Sequence, residues 1–347
     1  MNKNITIGNI KGVLPSLLRE QKYSSIAVLV DENTEKDCLP IVKGSIGDYD
    51  VIRIKSGEEN KNLTTCQHIW QSLTDNGYDR HALLINLGGG VIGDMGGFCA
   101  ATYKRGIAFI NIPTTLLSMV DASVGGKLGV DFGTFKNHIG LFQIPNHVCI
   151  DASFLKTLPH RELRSGFAEV IKHALITKGN DWNDIVTSSF ESMEWETVIH
   201  KSVAIKSEIV SKDFKESGLR KTLNFGHTIG HAIESYFLSQ GIDQKILHGE
   251  AVAIGMICEL YLSFHKLNFA QSDLDQIATY IVNVYGYVDV PESSFSEIIR
   301  LCGQDKKNKE NKIQAVLLKS IGTAIVDSEI SSEDILQSIQ YYSNLNI

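Results

Sequence analysis

Five short apolar runs in the first half of the chain limit its fold more than any other feature: Ile26 to Val30, Val51 to Ile54, Leu83 to Leu87, Phe109 to Ile112 and Val148 to Ile150. Each has the length and branched composition of a buried strand, and helical patterns lie between them. Strands alternating with helices build a parallel sheet covered by helices. After about Pro159 the pattern changes to long amphipathic segments, Arg161 to Thr177, Trp195 to Asp213, Gly226 to Leu238 and Gly249 to Lys266. The second half is therefore expected to be mainly α-helical. One exception is Ile313 to Leu318 with Thr323 to Val326, which reads as a small hairpin around Ile321-Gly322 or as extended edges. The 347 residues suffice for two cores at roughly 150 residues each. The expected class is α/β, a parallel-sheet domain over residues 1–159 followed by a mainly helical domain over 160–347.

Composition narrows the partners. With 33 Lys and Arg against 40 Asp and Glu, the formal charge of -7 gives no general attraction to nucleic acid or anionic lipid, so an anionic ligand would need a local basic pocket. The first residues lack the apolar run of a secretory signal, which points to the cytoplasm. The most apolar stretch, Ala251 to Phe264, is interrupted by Glu259 and is shorter than the ~20 residues that span a bilayer. The 6 cysteines form no CxxC pair and are expected to be reduced and packed.

Leu83 to Leu87 runs into Gly88-Gly89-Gly90-Val91-Ile92-Gly93-Asp94, a GxGxxG spacing between a strand and a helical pattern. Glycines let the backbone approach a pyrophosphate, and the helix start offers free N–H groups and a positive dipole end. The usual acidic residue at the end of the next strand is missing. Asp31, which ends an earlier strand, is the available carboxylate for a ribose or adenine contact. A tight turn with no ligand is the plainer alternative. Downstream, Thr114 and Thr115 end another strand, and Asp121 to Lys127 bring a glycine pair beside a lysine, with Lys136 further on. Hydroxyls, amides and ammonium groups suit ribose and phosphate oxygens, although such glycines are often turns and such lysines solvated.

His227 and His231 stand at i and i+4 and so share one helical face, and His248 follows at the start of another apolar helix. Glu169, Lys172 and His173 share a face of the preceding helix. Imidazoles and a carboxylate in this number suit zinc, and a three-ligand set leaves a position open for substrate. Spacing does not choose three ligands among these candidates, and paired helical histidines also occur as polar core positions. Lys172, Lys206, Arg220 and Lys221, with Asn224, are potential anion binders nearby in sequence, set against the alternative of a solvated helix face.

Taken together these motifs resemble the 3-dehydroquinate synthase family of sugar phosphate cyclases, from about Leu29 to Ile325. Carrying the resemblance are Leu87 to Asp94, Tyr103 to Gly106, Ile112 to Leu117, Val120 to Lys127, Lys136-Asn137, Glu169 to Lys172, Leu223 to Thr228 and Leu247 to Glu250, in the family's order. The departures are Phe135, where the family usually shows glycine, and a partial match over Ser56 to Lys61. The resemblance implies a Rossmann-like NAD-binding domain, a helical metal-binding domain, catalysis in the cleft between them, and commonly a homodimer. It implies zinc, with cobalt as the alternative metal, held by Glu169, His227 and His248, which leaves His231 for proton transfer and phosphate. NAD is expected to meet Asp31, Glu58, Lys61, Gly90, Val91, Ile92, Gly93, Asp94, Thr114, Thr115, Lys127, Lys136, Phe154, Leu155, Lys156 and Thr157. A small anionic substrate is expected to meet Asp121, Lys127, Lys136, Asn137, Lys172, Lys206, Arg220, Asn224 and His231, with Arg105 reaching across a dimer. Lys307 is preferred narrowly over Lys306 for the phosphate. The implied activity is conversion of 3-deoxy-D-arabino-heptulosonate 7-phosphate to 3-dehydroquinate, against the alternatives of another sugar phosphate cyclase or a metal-dependent polyol dehydrogenase.

Overall fold

The computed structural model describes residues 4–133, 135–241, 245–304 and 312–345. Its contacts form two units, Met1–Leu163 with Glu194–Glu208, and Arg164–Met193 with Ile209–Ile347.

In the first unit the expected strands are present as β2 (Ile26–Asp31), β3 (Asp50–Ile54), β4 (Leu83–Gly88), β5 (Ala108–Pro113) and β8 (His147–Ile150), joined by a short β1 (Ile5–Ile7). They pair in the order β1-β8-β5-β4-β2-β3, all parallel. β4 lies inside this sheet and is buried along its whole length, which is why its sequence shows no alternation. From β2 the chain moves outward to β3 and then returns to β4 on the other side of β2. The loops after β2 and β4 therefore leave in opposite directions, and a crevice opens at the carboxyl ends of these two strands. Asp31 ends β2 and Gly88 ends β4, so residues far apart in sequence reach one edge.

The helix Gly90–Thr102 covers this sheet through Ile92, Met95, Phe98 and Cys99. A Cβ on Gly96 would sit 2.0 Å from Asn86 Oδ1 and 2.8 Å from Leu29 Cδ2, and one on Gly97 2.5 Å from Leu128 Cδ2. Gly93 is different, since the nearest atom to its added Cβ is 4.0 Å away. Close packing of helix on sheet thus belongs to Gly96 and Gly97. Two strands not read from the sequence, β6 (Lys127–Phe132) and β7 (Phe135–Phe142), form an antiparallel hairpin. Their glycines and charged residues hid the strand pattern.

The second unit is mainly helical, with His227–Ser239, His248–Leu267, Gln271–Tyr285, Phe295–Gly303 and Ser332–Ser343 beside most of the helix His160–Ile176. The hairpin signal is realised as antiparallel β9 (Ile313–Ser320) and β10 (Thr323–Ile330), longer than the apolar runs because polar residues continue the exposed faces. Helices His227–Ser239 and His248–Leu267 cross almost backbone to backbone: a Cβ on Gly255 would lie 2.0 Å from Gly226 O and 2.7 Å from Gly230 N. All six cysteines are buried, and none is in a disulfide. Among the described residues no helix is long and apolar enough to cross a membrane.

The glycine contacts predict opposite outcomes for two neighbouring substitutions. Gly96→Ala should destabilise by about 1–3 kcal/mol through overpacking against Asn86 and Leu29. Gly93→Ala should be neutral or stabilise by up to about 1 kcal/mol, because it has room and leaves a helical backbone less free when unfolded. Urea denaturation of the two variants checks the pair.

Candidate active site

In the first unit the glycine loop forms the start of the helix Gly90–Thr102. Gly89 precedes the helix with no side-chain cap, so the first amides have no partner from a side chain at that position. Gly88, Gly89, Gly90 and Gly93 line a recess with Asn86, Asn111 and Ser123. Asn86 donates from Nδ2 to Asn111 Oδ1 at 2.8 Å, while Asn86 Oδ1 and Ser123 Oγ are buried without a hydrogen-bond partner. Bare amides at a helix start, glycines above and polar side chains below fit a dinucleotide. Asp31 spends Oδ1 on capping its own helix, accepting from Asn33 N and Thr34 N. Thr114 is buried, and Thr115 bonds Ser118.

Beside the loop, Lys61 is buried, and its Nζ donates to Asp94 Oδ2 and Asn137 Oδ1, both at 2.7 Å. Burial pushes the Asp94 carboxyl up against the pull of Lys61. For Lys61 burial acts downward, but Asp94 and then Glu58 hold its pKa above the ordinary value. Asn137 stands at φ 49°, a left-handed position that asparagine tolerates, and its amide N donates to Asp131. Three sequence candidates, Lys61, Asp94 and Asn137, are thus brought into one network. A π-helical turn, Ser118–Ala122, carries Asp121. Buried Lys206 donates to Asp121 O and Oδ1, both at 2.5 Å. Lys127 begins β6 and is exposed, with Lys136 on β7. Phe154 and Leu155 pack into the core of a 3-10 turn, which leaves their backbone and the exposed Lys156 and Thr157 for any ligand. Arg105 is exposed at φ 70°.

In the second unit Glu169 is fully buried, and its Oε1 has no hydrogen-bond partner. That oxygen faces His227 Nε2 at 3.3 Å and His248 Nε2 at 3.8 Å. Glu169 Oε2 accepts from buried Lys172, one turn along the same helix. His227 Nδ1 is held by Phe225 O at 3.0 Å and His248 Nδ1 by Glu234 Oε2 at 3.2 Å. These bonds turn both Nε2 atoms toward Glu169 Oε1. His231 lies beside them, and ligand atoms of His227, His231 and His248 fall within 4.8 Å of one another. Burial would raise Glu169, but Lys172 and then His227 hold it well below the usual carboxylate range. Burial would lower His248, yet Glu234 and Glu169 push it to about 10. Burial and then Lys172 push His227 down, so the two rings shift in opposite directions. An orphaned carboxylate oxygen facing two oriented imidazoles fits a zinc-like cation.

Arg220 is buried with Nη1 donating to Phe214 O at 2.6 Å, and Asn224 Nδ2 donates to Glu216 at 3.0 Å. Arg220 closes a turn built by Asp213, whose carboxylate accepts from the amides of Ser217, Gly218 and Arg220, and Asn224 ends the 3-10 helix Leu219–Asn224 that follows. Lys221 is set apart from the anion binders, since it pairs with Asp327 on β10. Lys306 and Lys307 lie outside the described residues. Sequence reasoning passed over Asp213, Glu234 and Glu259. Two signals were available: Glu234 continues the face of His227 and His231, and Glu259 is the single charge in the apolar stretch Ala251 to Phe264.

The amide hydrogen bonds hold the Asp213 pKa far below its ordinary value. A depressed carboxylate stabilises the fold above its unfolded pKa of about 3.9 and loses that contribution as pH falls toward the folded value. The stability difference between the wild type and Asp213→Asn should be constant above about pH 5 and shrink at lower pH. Denaturation curves across pH check the sign.

Comparison with known proteins accords with this geometry. The family model for the 3-dehydroquinate synthase N-terminal region matches residues 51–165, and that for the C-terminal region matches 166–308. A 3-dehydroquinate synthase of Parabacteroides distasonis is 40% identical over 346 residues, covering 98% of this chain and 97% of the relative. One from Leptospira interrogans is 38% identical over 342 residues, covering 95% and 92%. A solved 2-epi-5-epi-valiolone synthase of Streptomyces hygroscopicus, with NAD+ and Zn2+ bound, shares the fold at a TM-score of 0.85 and 23% identity, covering 99% of this chain and 97% of that one. With both regions matched in order and the likeness running through nearly the whole length, this chain belongs to the 3-dehydroquinate synthase family.

Proposed function

We propose that the protein converts 3-deoxy-D-arabino-heptulosonate 7-phosphate to 3-dehydroquinate and phosphate, by oxidation, β-elimination, reduction and intramolecular aldol closure, as an NAD- and metal-dependent carbon-oxygen lyase. The observation that carries the reading is Glu169 Oε1, buried, without a hydrogen bond and facing two imidazole nitrogens. Glu169, His227 and His248 hold zinc, or cobalt in its place. Glu169 is preferred to His231 as the third ligand because its carboxylate is buried, whereas His231 is half-buried and can meet substrate. When bound, zinc would acidify a substrate hydroxyl, and NAD would take up and return a hydride.

The chain's own groups bind and orient. Amides of Gly90 to Asp94 cradle the pyrophosphate, with Asp31, Glu58, Lys61, Thr114, Thr115, Lys136 and the Phe154 to Thr157 turn around the rest of NAD. Lys206, held by Asp121, and Arg220, held by Phe214 O, supply cations for the substrate carboxylate. Lys127, Lys172, Asn137, Asn224 and His231 hold the phosphate and the sugar oxygens, with Lys307 at the phosphate. His231 carries a proton at an imidazole nitrogen during elimination. Buried cations in this number suit a carboxylate- and phosphate-bearing substrate better than a neutral polyol. The working form is proposed to be a cytoplasmic homodimer in which exposed Arg105 reaches the neighbouring subunit.

The zinc-loaded protein, given this substrate and NAD, should release phosphate in step with carbocycle formation and without net NADH. Accumulating NADH would mark a polyol dehydrogenase instead, and an absence of phosphate release would end the reading. His248→Ala should lose both zinc and turnover. Glu234→Gln should weaken zinc binding by about 10–100-fold, because the His248 ring loses its carboxylate partner. Competition with a chromophoric chelator measures that loss directly.

A further inference from the structure

The helix that carries His227 and His231 starts without a cap of its own. Gly226 precedes it at φ 78°, in the left-handed region, and supplies no side chain. A larger residue does not fit, since an added Cβ would lie 2.5 Å from Met256 Cγ and 3.0 Å from Val252 O. The first amides of a helix have no intrahelical acceptor, and when buried they are costly to leave bare.

Their acceptor comes from another helix. Glu259, fully buried, takes Gly226 N on Oε2 at 2.6 Å and Thr228 N and Ile229 N on Oε1 at 3.1 and 3.4 Å. A carboxylate among amide donors at the positive end of a helix dipole is stabilised as an anion. Glu259 belongs to His248–Leu267, the helix that begins with His248. One side chain therefore ties the start of the helix bearing His227 and His231 to the helix bearing His248. The amides it holds flank His227 directly.

We infer that Glu259 is a positioning residue for the histidine cluster, fixing the axial position of His227 and His231 against His248. Ligand atoms tolerate displacements of only about 0.5 Å, so a helix start free to slide or fray would loosen the site. The inference rests on the zinc reading above, and its test separates the two.

In the zinc-free wild-type protein, the amides of Thr228 and Ile229 should exchange with solvent deuterium as slowly as mid-helix amides, although they stand in a first turn. Fast exchange there would overturn the assignment without any substitution. Glu259→Gln keeps one acceptor oxygen and should still fold. It should lose roughly tenfold in zinc affinity by chelator competition, with kcat reduced at saturating zinc and KM for NAD unchanged. Glu259→Asp, which keeps the charge but shortens the reach, should fall between the two and serves if the glutamine variant does not fold. A variant that is less stable yet matches wild type in zinc affinity and kcat would make Glu259 merely structural and sink the proposal. His227→Ala is the control: if it kept full zinc affinity, the ligand assignment would fail, whatever Glu259 does.

Discussion

A carboxylate taken out of water must meet positive charge or several hydrogen-bond donors, or it will not stay ionised. The helical unit is organised around two such groups. Glu259 meets amides, and its need is fully answered within the chain. Glu169 is answered only in part, because Lys172 takes Oε2 while Oε1 faces imidazoles. The two buried acids thus have opposite characters: one closes a helix end, and the other leaves a demand for a cation. Which role each takes is set by its neighbours, since both are glutamates in the middle of buried helices.

The glycines make this arrangement reachable. Gly226, Gly230 and Gly255 remove the side chains that would hold two helices apart, and the near contact of backbones lets a glutamate reach across to the neighbouring first turn. The same device recurs in the sheet unit, where Gly96 and Gly97 seat a helix on β2, β4 and the hairpin. There the close approach fixes the height of the glycine loop above Asn86 and Asn111. Small residues are therefore concentrated in the elements that present chemistry, and the ordinary apolar core lies around them.

Much of the fold was legible because its signals are local. Five buried strands, the change to helices after Pro159 and the late hairpin all follow from periodicity. The short β1 was invisible because three residues carry no pattern, and β6 and β7 because their exposed faces are polar. In the site, His227, His231, His248 and Glu169 were legible as candidates from spacing, which left the choice among them open, and the family resemblance alone pointed to Glu169; its burial and orphaned oxygen, on which the zinc proposal rests, are encoded by no spacing. Lys221 looked equivalent to Arg220 in sequence, and tertiary pairing with Asp327 separates them. Glu259 looked like a flaw in an apolar helix, and its partners lie on a different element.

Lys61, Asp94 and Asn137 show the same logic in the sheet unit. A buried ion pair contributes little net stability, yet removing one member leaves an uncompensated charge at a cost of about 3–5 kcal/mol. Lys61 precedes one helix, Asp94 lies in the first turns of the glycine-loop helix, and Asn137 belongs to the hairpin. Joining them binds three separate elements to one ammonium. The gain is in definition more than in stability: the helix start, the hairpin and the left-handed backbone at Asn137 are set by a single charge. Asn137 gives its side-chain carbonyl oxygen to Lys61, which fixes the orientation of the whole amide group. The ammonium that holds the loop together is therefore also what aims the side chain beside it.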